Sequence, residues 1–190
     1  ADPTAPPRLV RGRMPDVEYH VDHWGDQLVI HTNLADDEGP AEDFRVMTAP
    51  LDAPTEWTEF VPHVPGRRIA AVDTYAGHLA LLEWSDAQPQ VRIVARDGNS
   101  HVLAIDPEPH DVGFGANEVW DTSVIRLTHV SLTVPARVID VDVTTGAIEL
   151  VKQTPTPNVD LDAYVATRLW APAADGVEVP VDIVHHRDTP

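Results

Sequence analysis

The chain has 190 residues, 43% of them hydrophobic, so it can bury the core of one domain or of one domain plus a fragment. Its 31 acidic and 13 basic residues give a net charge of -18, which argues against nucleic acid as a partner because phosphate binding needs clustered lysines and arginines. It has no cysteine, which excludes disulfides, and no apolar run near the roughly 20 residues that span a bilayer, so no membrane partner is predicted.

The N-terminal stretch ADPTAPPRLVRGR lacks the basic-then-apolar order of a signal peptide, which predicts a cytoplasmic protein. Its start without Met, in a proline-rich segment, favours a chain cut from a longer one. Within it, PRLV (7–10) is predicted to be the last strand of a preceding structural unit.

Twelve short apolar runs follow, and they repeat as four runs in each unit of about 47 residues. The first unit contains VEYHV (17–21), QLVIHT (27–32), FRVMTAP (44–50) and TEFV (58–61). The second contains RIAAVDTY (68–75), HLALLEW (78–84), QVRIVARDG (90–98) and SHVLAI (100–105). The third contains HDVGFG (110–115), VIRLTHV (124–130), ARVIDVDVTTG (136–146) and AIELV (147–151).

Turn signals lie between these runs, where strands must reverse direction. They are Gly25-Asp26, Ala76-Gly77, Asp97-Gly98 and Thr145-Gly146. Four antiparallel strands at a period in the forties are typical of a β-propeller blade. The sequence therefore predicts an all-β fold: a partial β-propeller of about three four-stranded blades plus one extra strand, followed by a β-hairpin. An immunoglobulin-like sandwich is the alternative, but it does not predict a four-strand period.

The C-terminal part departs from the repeat. QTPTPNVDLDA (153–163) has the composition of a linker, in which Asn158 is predicted to cap a short helical turn. Beyond it, Asp175-Gly176 is a two-residue turn signal, and β-branched residues then occupy every second position from Val177 to Ile183, alternating with Glu178, Pro180 and Asp182. This pattern predicts a β-hairpin with one buried face.

No catalytic residue is predicted. The nucleophile of an α/β-hydrolase needs glycines two residues before and after the serine, because the serine occupies a strained turn from strand to helix. None of the four serines has them. They are Ser85, Ser100, Ser123 and Ser131.

No metal or cofactor site is predicted either. The close histidine pairs are His20 with His23 and His185 with His186, and on strands both pairs point to opposite faces. The acidic runs 35–43 and 158–163 lack calcium-loop spacing. We expect the first to be a solvated hairpin loop, with an acidic rim that attracts basic peptides as the alternative.

The five tryptophans suggest either inter-blade packing or a ligand platform, and packing is favoured because propellers place bulky aromatics between blades. They are Trp24, Trp57, Trp84, Trp120 and Trp170. Trp170 adjoins the linker and is predicted to cover a domain junction.

Several long stretches resemble the oligopeptidase B group of the prolyl oligopeptidase family of serine peptidases. They are GRMPDVEYHVDHWGDQLVIHTN (12–33), NLADDEGPAEDFRVMTAPLDAP (33–54), EWTEFVPH (56–63), RLTHVSLTVPARVIDVDVTTGAIELVKQ (126–153) and YVATRLWAPAADGVEVPVDIVHHRD (164–188). The resemblance implies that 1–152 are C-terminal blades of a propeller, 153–163 a linker, and 164–190 the first strands of an α/β-hydrolase domain.

By the same resemblance, the parent enzyme cleaves short peptides after Arg or Lys with a Ser-Asp-His triad in the missing C-terminal domain. Its partners would be short basic peptides and that hydrolase domain, and the propeller would exclude large folded substrates. The alternative is a non-enzymatic propeller that binds partners through its loops. A Gly-x-Ser-x-Gly motif downstream of residue 190 would decide between the two.

Overall fold

Three consecutive four-stranded antiparallel sheets, named blades 1 to 3, make up most of the fold. The computed structural model describes residues 4, 6–36 and 39–189. Blade 1 contains β1 (Tyr19–Trp24), β2 (Gln27–Thr32), β3 (Arg45–Pro50) and β4 (Thr58–Val61). Blade 2 contains β5 (Arg67–Thr74), β6 (His78–Ser85), β7 (Gln88–Ala95) and β8 (Ser100–Val102). Blade 3 contains β9 (His110–Phe114), β10 (Val124–Ser131), β11 (Arg137–Asp142) and β12 (Ile148–Gln153).

The predicted repeat is confirmed, because each blade is one meander in which sequential strands are neighbours. Three of the predicted turns place glycine in the left-handed region, with φ of 67° at Gly25, 86° at Gly98 and 73° at Gly146. A residue with a Cβ adopts that conformation at an energetic cost, which explains why glycine marks these reversals.

The hydrophobic core lies between the blades, and blade 2 contributes side chains from each of its two faces. Leu79 and Leu81 of β6 point to blade 1, where they pack with Trp24 and Val46. Ala80, between them in sequence, packs against the core shared with blade 3. Successive residues of a strand face opposite sides, so one strand contributes to both cores.

The predicted extra strand at 7–10 is wrong. These residues form no strand, Leu9 is 71% exposed, and Arg8 Nη2 instead donates to the carbonyl of Asp52 at 3.0 Å. A strand needs a ladder partner, and none of the described strands pairs with this segment. In the described part of the chain, no helix is long and apolar enough to cross a membrane.

The predicted hairpin forms from β13 (Tyr164–Pro172) and β14 (Glu178–His186), with Gly176 at φ 87° in the connection. A 3₁₀ turn at Leu161–Ala163 precedes it, capped by Asp160 and not by Asn158 as expected. The prediction of a buried face is wrong in this chain. Val179 and Val181 are 44% and 40% exposed, since no described segment packs over their face.

Candidate functional site

The four serines are held in local structure and do not form a nucleophile elbow. Ser85 ends β6, Ser100 begins β8, Ser123 precedes β10 and Ser131 ends β10. Ser123 Oγ donates to Asp142 Oδ2 at 2.9 Å, and the amide of Val134 donates to Ser131 Oγ at 3.0 Å. That the chain contains no catalytic, cofactor-binding or metal-binding residue stays a prediction.

Histidines connect the blades. His31 Nε2 donates to the carbonyl of Ile69 at 2.9 Å across the seam between blades 1 and 2, and burial lowers its pKa. His101 Nε2 donates to the carbonyl of Val143 at 3.0 Å across the next seam. Over the described residues, no three metal-binding side chains come together.

His129 is the most deeply buried imidazole of the second seam, at 1% exposure. Arg137 Nε donates to its Nδ1 at 3.1 Å, so the ring carries its proton on Nε2. That Nε2 lies 3.2 Å from Asp106 Oδ2 but off the hydrogen-bond direction. Burial, and then the charge of Arg137, lower the pKa of His129 to about 4, which keeps it neutral near pH 7.

The tryptophan prediction holds for Trp24 and fails for three others. Trp24 is 1% exposed, and its Nε1 donates to the carbonyl of Tyr75 at 2.6 Å across the first seam. The exposed ones are Trp84 at 44%, Trp120 at 40% and Trp170 at 47%. Trp84 lies near the end of β6, and Trp170 lines a cavity between the hairpin and blade 2. That Trp170 covers a domain junction stays a prediction.

The acidic run 35–43 is more structural than expected, although residues 37 and 38 lie outside the described part of the chain. Asp36 and Glu59 both bind the guanidinium of Arg45, which is 5% exposed. Asp43 Oδ2 accepts from the amide of Gly66 at 2.7 Å. A buried guanidinium needs carboxylate partners, and that need explains Asp36 without a ligand, while Asp43 is occupied by the amide of Gly66.

The first strands of blades 1 and 2 lie side by side, which marks them as the strands nearest the propeller axis. A cavity of about 370 Å³ opens between β1 and β5, and its lining includes His20, Asp22 and residues 70–72. This surface would form part of a channel wall in a closed ring. It offers the exposed carboxylate of Asp22 and the imidazoles of His20 and His31 beside small apolar side chains.

The hairpin meets blade 2 at Arg168, in the middle of β13. Arg168 Nε and Nη2 donate to the two carboxylate oxygens of Asp182 at 2.7 and 2.8 Å. Its Nη1 donates to the carbonyls of Asp86 and Ala87, both at 3.1 Å, and to Gln88 Oε1 at 3.4 Å. The hydrogen bonds from Arg168 hold the pKa of Asp182 below its usual range.

Cavities of about 340 and 360 Å³ lie on either side of Arg168. The first is bounded by Trp84, Pro109 and Leu132, and the second by Trp170 and the segment 102–106. Apart from Trp170, no sequence signal indicates this contact between hairpin and blade 2, because Arg168 lies 81 and 82 positions from the two turn residues it binds. The hydrogen bonds of Arg168 can hold the hairpin against blade 2.

The chain matches a protein family described as "Prolyl oligopeptidase, N-terminal beta-propeller domain" over residues 1–154. Among curated proteins, it is 34% identical to "Dipeptidyl aminopeptidase BI" of Pseudoxanthomonas mexicana over 176 residues, which cover 91% of this chain and 24% of that protein. It is 25% identical to "Protease 2" of Moraxella lacunata over 184 residues, covering 96% of this chain and 26% of that protein.

Among solved structures, the fold is similar to oligopeptidase B from Trypanosoma brucei with covalently bound antipain in its closed form. The TM-score is 0.82 at 27% identity, over 95% of this chain and 27% of that one. The chain thus spans about a quarter of the length of the proteins it matches.

Proposed function

This chain belongs to the prolyl oligopeptidase family of peptidases, as blades of its N-terminal β-propeller domain, and from that premise we propose that it limits the substrates of a serine oligopeptidase to short peptides. The observation that carries the proposal is the order of its parts, three blades and then a hairpin that leaves the repeat. The family match ends at residue 154, which supports a boundary in the linker 153–163 and a hydrolase domain that begins at 164–190.

The steric filter follows from rigidity. Blade 2 is packed on both faces, and the seams are crossed by backbone-directed hydrogen bonds from His31, His101 and Trp24. A ring of such blades does not widen without breaking these seams. A flexible peptide passes through a fixed opening, whereas a folded protein is excluded. The filter needs no catalytic residue in this chain.

Cleavage after Arg or Lys is the preferred specificity, with short basic peptides as substrates. Similarity to oligopeptidase B supports it, and the net charge of -18 would draw in cationic peptides. Because the Debye length is about 8 Å at physiological salt, this charge contributes to steering more than to affinity. The cytoplasmic location stays a prediction, supported by the absence of cysteine.

A second activity is favoured by the curated relative named dipeptidyl aminopeptidase, at 34% identity. A peptidase of that type requires a free N-terminus two residues before the cut. An endopeptidase accepts a blocked one. The two activities would share the filter and differ in the active site of the proposed hydrolase domain.

The test uses the full-length protein that contains this chain and three fluorogenic substrates of matched sequence. One has a blocked N-terminus and an internal Arg, one is a free dipeptide amide ending in Arg, and one carries the same Arg site in a loop of a folded protein. We expect turnover of the blocked peptide and none of the folded protein. Rapid cleavage of the folded substrate would refute the filter. Turnover of the free dipeptide amide alone would establish the second activity.

The 190-residue chain by itself gives a sharper control. We expect no turnover and no stoichiometric labelling by a serine-reactive fluorophosphonate, because none of its serines has the elbow context. Labelling of any one serine in the purified chain would contradict the absence of an active site. It would leave the filter proposal untouched.

A further inference from the structure

Arg168 is part of one of two cross-strand ion pairs with almost identical local geometry. In blade 3, Arg126 of β10 lies opposite Asp140 of β11 and donates to its two carboxylate oxygens at 2.7 and 2.8 Å. In the hairpin, Arg168 lies opposite Asp182 and makes the same two bonds at the same two distances. Each pair is the bidentate fork that a guanidinium forms with a carboxylate.

The two arginines differ in what else they contact. The Arg126 side chain is 42% exposed, whereas that of Arg168 is 17% exposed. The third nitrogen of Arg168 faces the turn between β6 and β7, where it meets the carbonyls of Asp86 and Ala87. The ion pair alone therefore does not account for the burial of Arg168, and the contact with blade 2 does.

The turn that receives Arg168 has an unusual backbone for its sequence. Asp86 and Ala87 form the two-residue loop between paired Ser85 and Gln88, with φ of 50° and 56°. This is the geometry of a type I′ turn, which normally contains Asn or Gly. Left-handed backbone costs a residue with a Cβ about 1–2 kcal/mol. The conformation presents two adjacent carbonyls to one guanidinium nitrogen.

We propose that Arg168 and the Asp86–Ala87 turn form a latch that fixes the orientation of the terminal hairpin on blade 2. Asp182 holds the guanidinium in plane, so that Nη1 stays aimed at the turn. Arg168 is a positioning residue, because it acts on the hairpin and not on a substrate. The latch itself does not depend on the proposed function. Only its consequence does: if the hairpin is the start of a hydrolase domain, holding the hairpin in one orientation also orients that domain.

The latch is tested by measuring the hairpin's orientation directly. The chain has no cysteine, so Ser100→Cys on blade 2 and Ala174→Cys near the hairpin tip provide two exposed spin-label sites. Double electron–electron resonance then reports the distance distribution between blade and hairpin. We expect a single narrow distance distribution in the chain with the two cysteines alone. Adding Arg168→Gln should increase its width about twofold or more.

Arg126→Gln is the matched control, because it removes the same kind of ion pair without a contact to another sheet. We expect it to leave the distribution unchanged. Arg168→Lys should broaden it as Arg168→Gln does, because one ammonium group cannot bind Asp182 in a fork and also reach two carbonyls. Thermal unfolding of each variant, followed by circular dichroism, checks that the blades stay folded.

A distribution as narrow in both Arg168 variants as in the background would overturn the latch. So would equal broadening by Arg126→Gln, because the effect would then belong to any lost ion pair. Peptidase assays of the full-length protein form a separate arm. If no peptide is cleaved but the distribution broadens, the proposed function fails and the latch stands.

Discussion

Blade 2 and the terminal hairpin share the alternating pattern of strands but differ in burial. Leu79 and Leu81 of β6 are fully buried, whereas Val179 and Val181 of β14 are 44% and 40% exposed. Blade 2 has a blade against each face, and no described segment covers the outer face of the hairpin. Alternation thus specifies which face can be buried, and neighbouring sheets decide whether it is.

Charged groups show the same contrast. In blade 2, Glu83 is fully buried and binds Arg92, with Gln90 Nε2 donating to its Oε2 at 3.3 Å. In the hairpin, the Asp182 side chain is 34% exposed beside Arg168. When one partner of a buried ion pair is removed, the other charge stays buried without compensation. When one partner of an exposed pair is removed, water solvates the remaining charge.

The largest effect is therefore expected from Glu83→Ala. It leaves Arg92 buried without its carboxylate, and we expect a loss of about 3–5 kcal/mol in the free energy of unfolding. Asp140→Ala, in the partly exposed pair of blade 3, should change it by no more than about 1 kcal/mol. Urea denaturation of both variants measures the difference. Equal losses would break the contrast between buried and exposed pairs.

Apolar truncation gives the second test. Leu81→Ala removes methyl groups from the core between blades 1 and 2, and we expect a loss of about 2–5 kcal/mol. Val181→Ala on the hairpin's open face should cost less than about 0.5 kcal/mol in this chain. Chemical denaturation is again the measurement. If the two losses were similar, some part of the protein would have to cover the hairpin already.

The third prediction concerns how the free energy of unfolding changes with pH through His129, at the contact between blades 2 and 3. His129 has a pKa of about 4 in the folded chain and an ordinary pKa of about 6.5 when unfolded. The unfolded state therefore binds this proton first as the pH falls. The contribution of neutral His129 is complete above about pH 6.5 and is lost progressively down to about pH 4.

The matching experiment compares urea unfolding at about pH 7.5 and about pH 5. His129→Gln should reduce the difference between the two pH values by about 2 kcal/mol, because glutamine takes up no proton. Val130→Gln, at an exposed position of the same strand β10, is the control: it removes no titratable group and should leave the difference as in the parent chain. An unchanged difference in the His129 variant would show that the seam tolerates a charged imidazole.

The sequence predicted the blades well because their signals are local. Alternation marked the strands, and glycines such as Gly98 marked the reversals that require left-handed backbone. It failed at PRLV (7–10), where the pattern of a strand exists without a strand to pair with. It also failed for Trp84, Trp120 and Trp170, which are 44%, 40% and 47% exposed, because an aromatic residue in a strand pattern does not show whether a neighbouring sheet covers it.

The junction could not be found in this way, because its partners are distant in sequence. Nothing local in the segment around Arg168 indicates contact with the turn after β6. That turn was itself missed, since Asp86 and Ala87 lack the glycine that announces a type I′ reversal. The turn is identified by the pairing of Ser85 with Gln88, and that pairing is known only once the register between β6 and β7 is known.

The smallest expected effect concerns this same turn, where blade 2 meets the hairpin. Ala87→Gly relieves the left-handed strain of about 1–2 kcal/mol but gives the unfolded chain more freedom, which offsets about 0.5–1 kcal/mol. The net expectation is a gain of a few tenths to about 1 kcal/mol, with the carbonyl that Arg168 binds retained. Ala71→Gly in β5 has no strain to relieve and should lose about 0.5–1 kcal/mol. If Ala87→Gly is as destabilising as Ala71→Gly in urea denaturation, the turn is not strained, and the two carbonyls owe their position to the register of β6 and β7 alone.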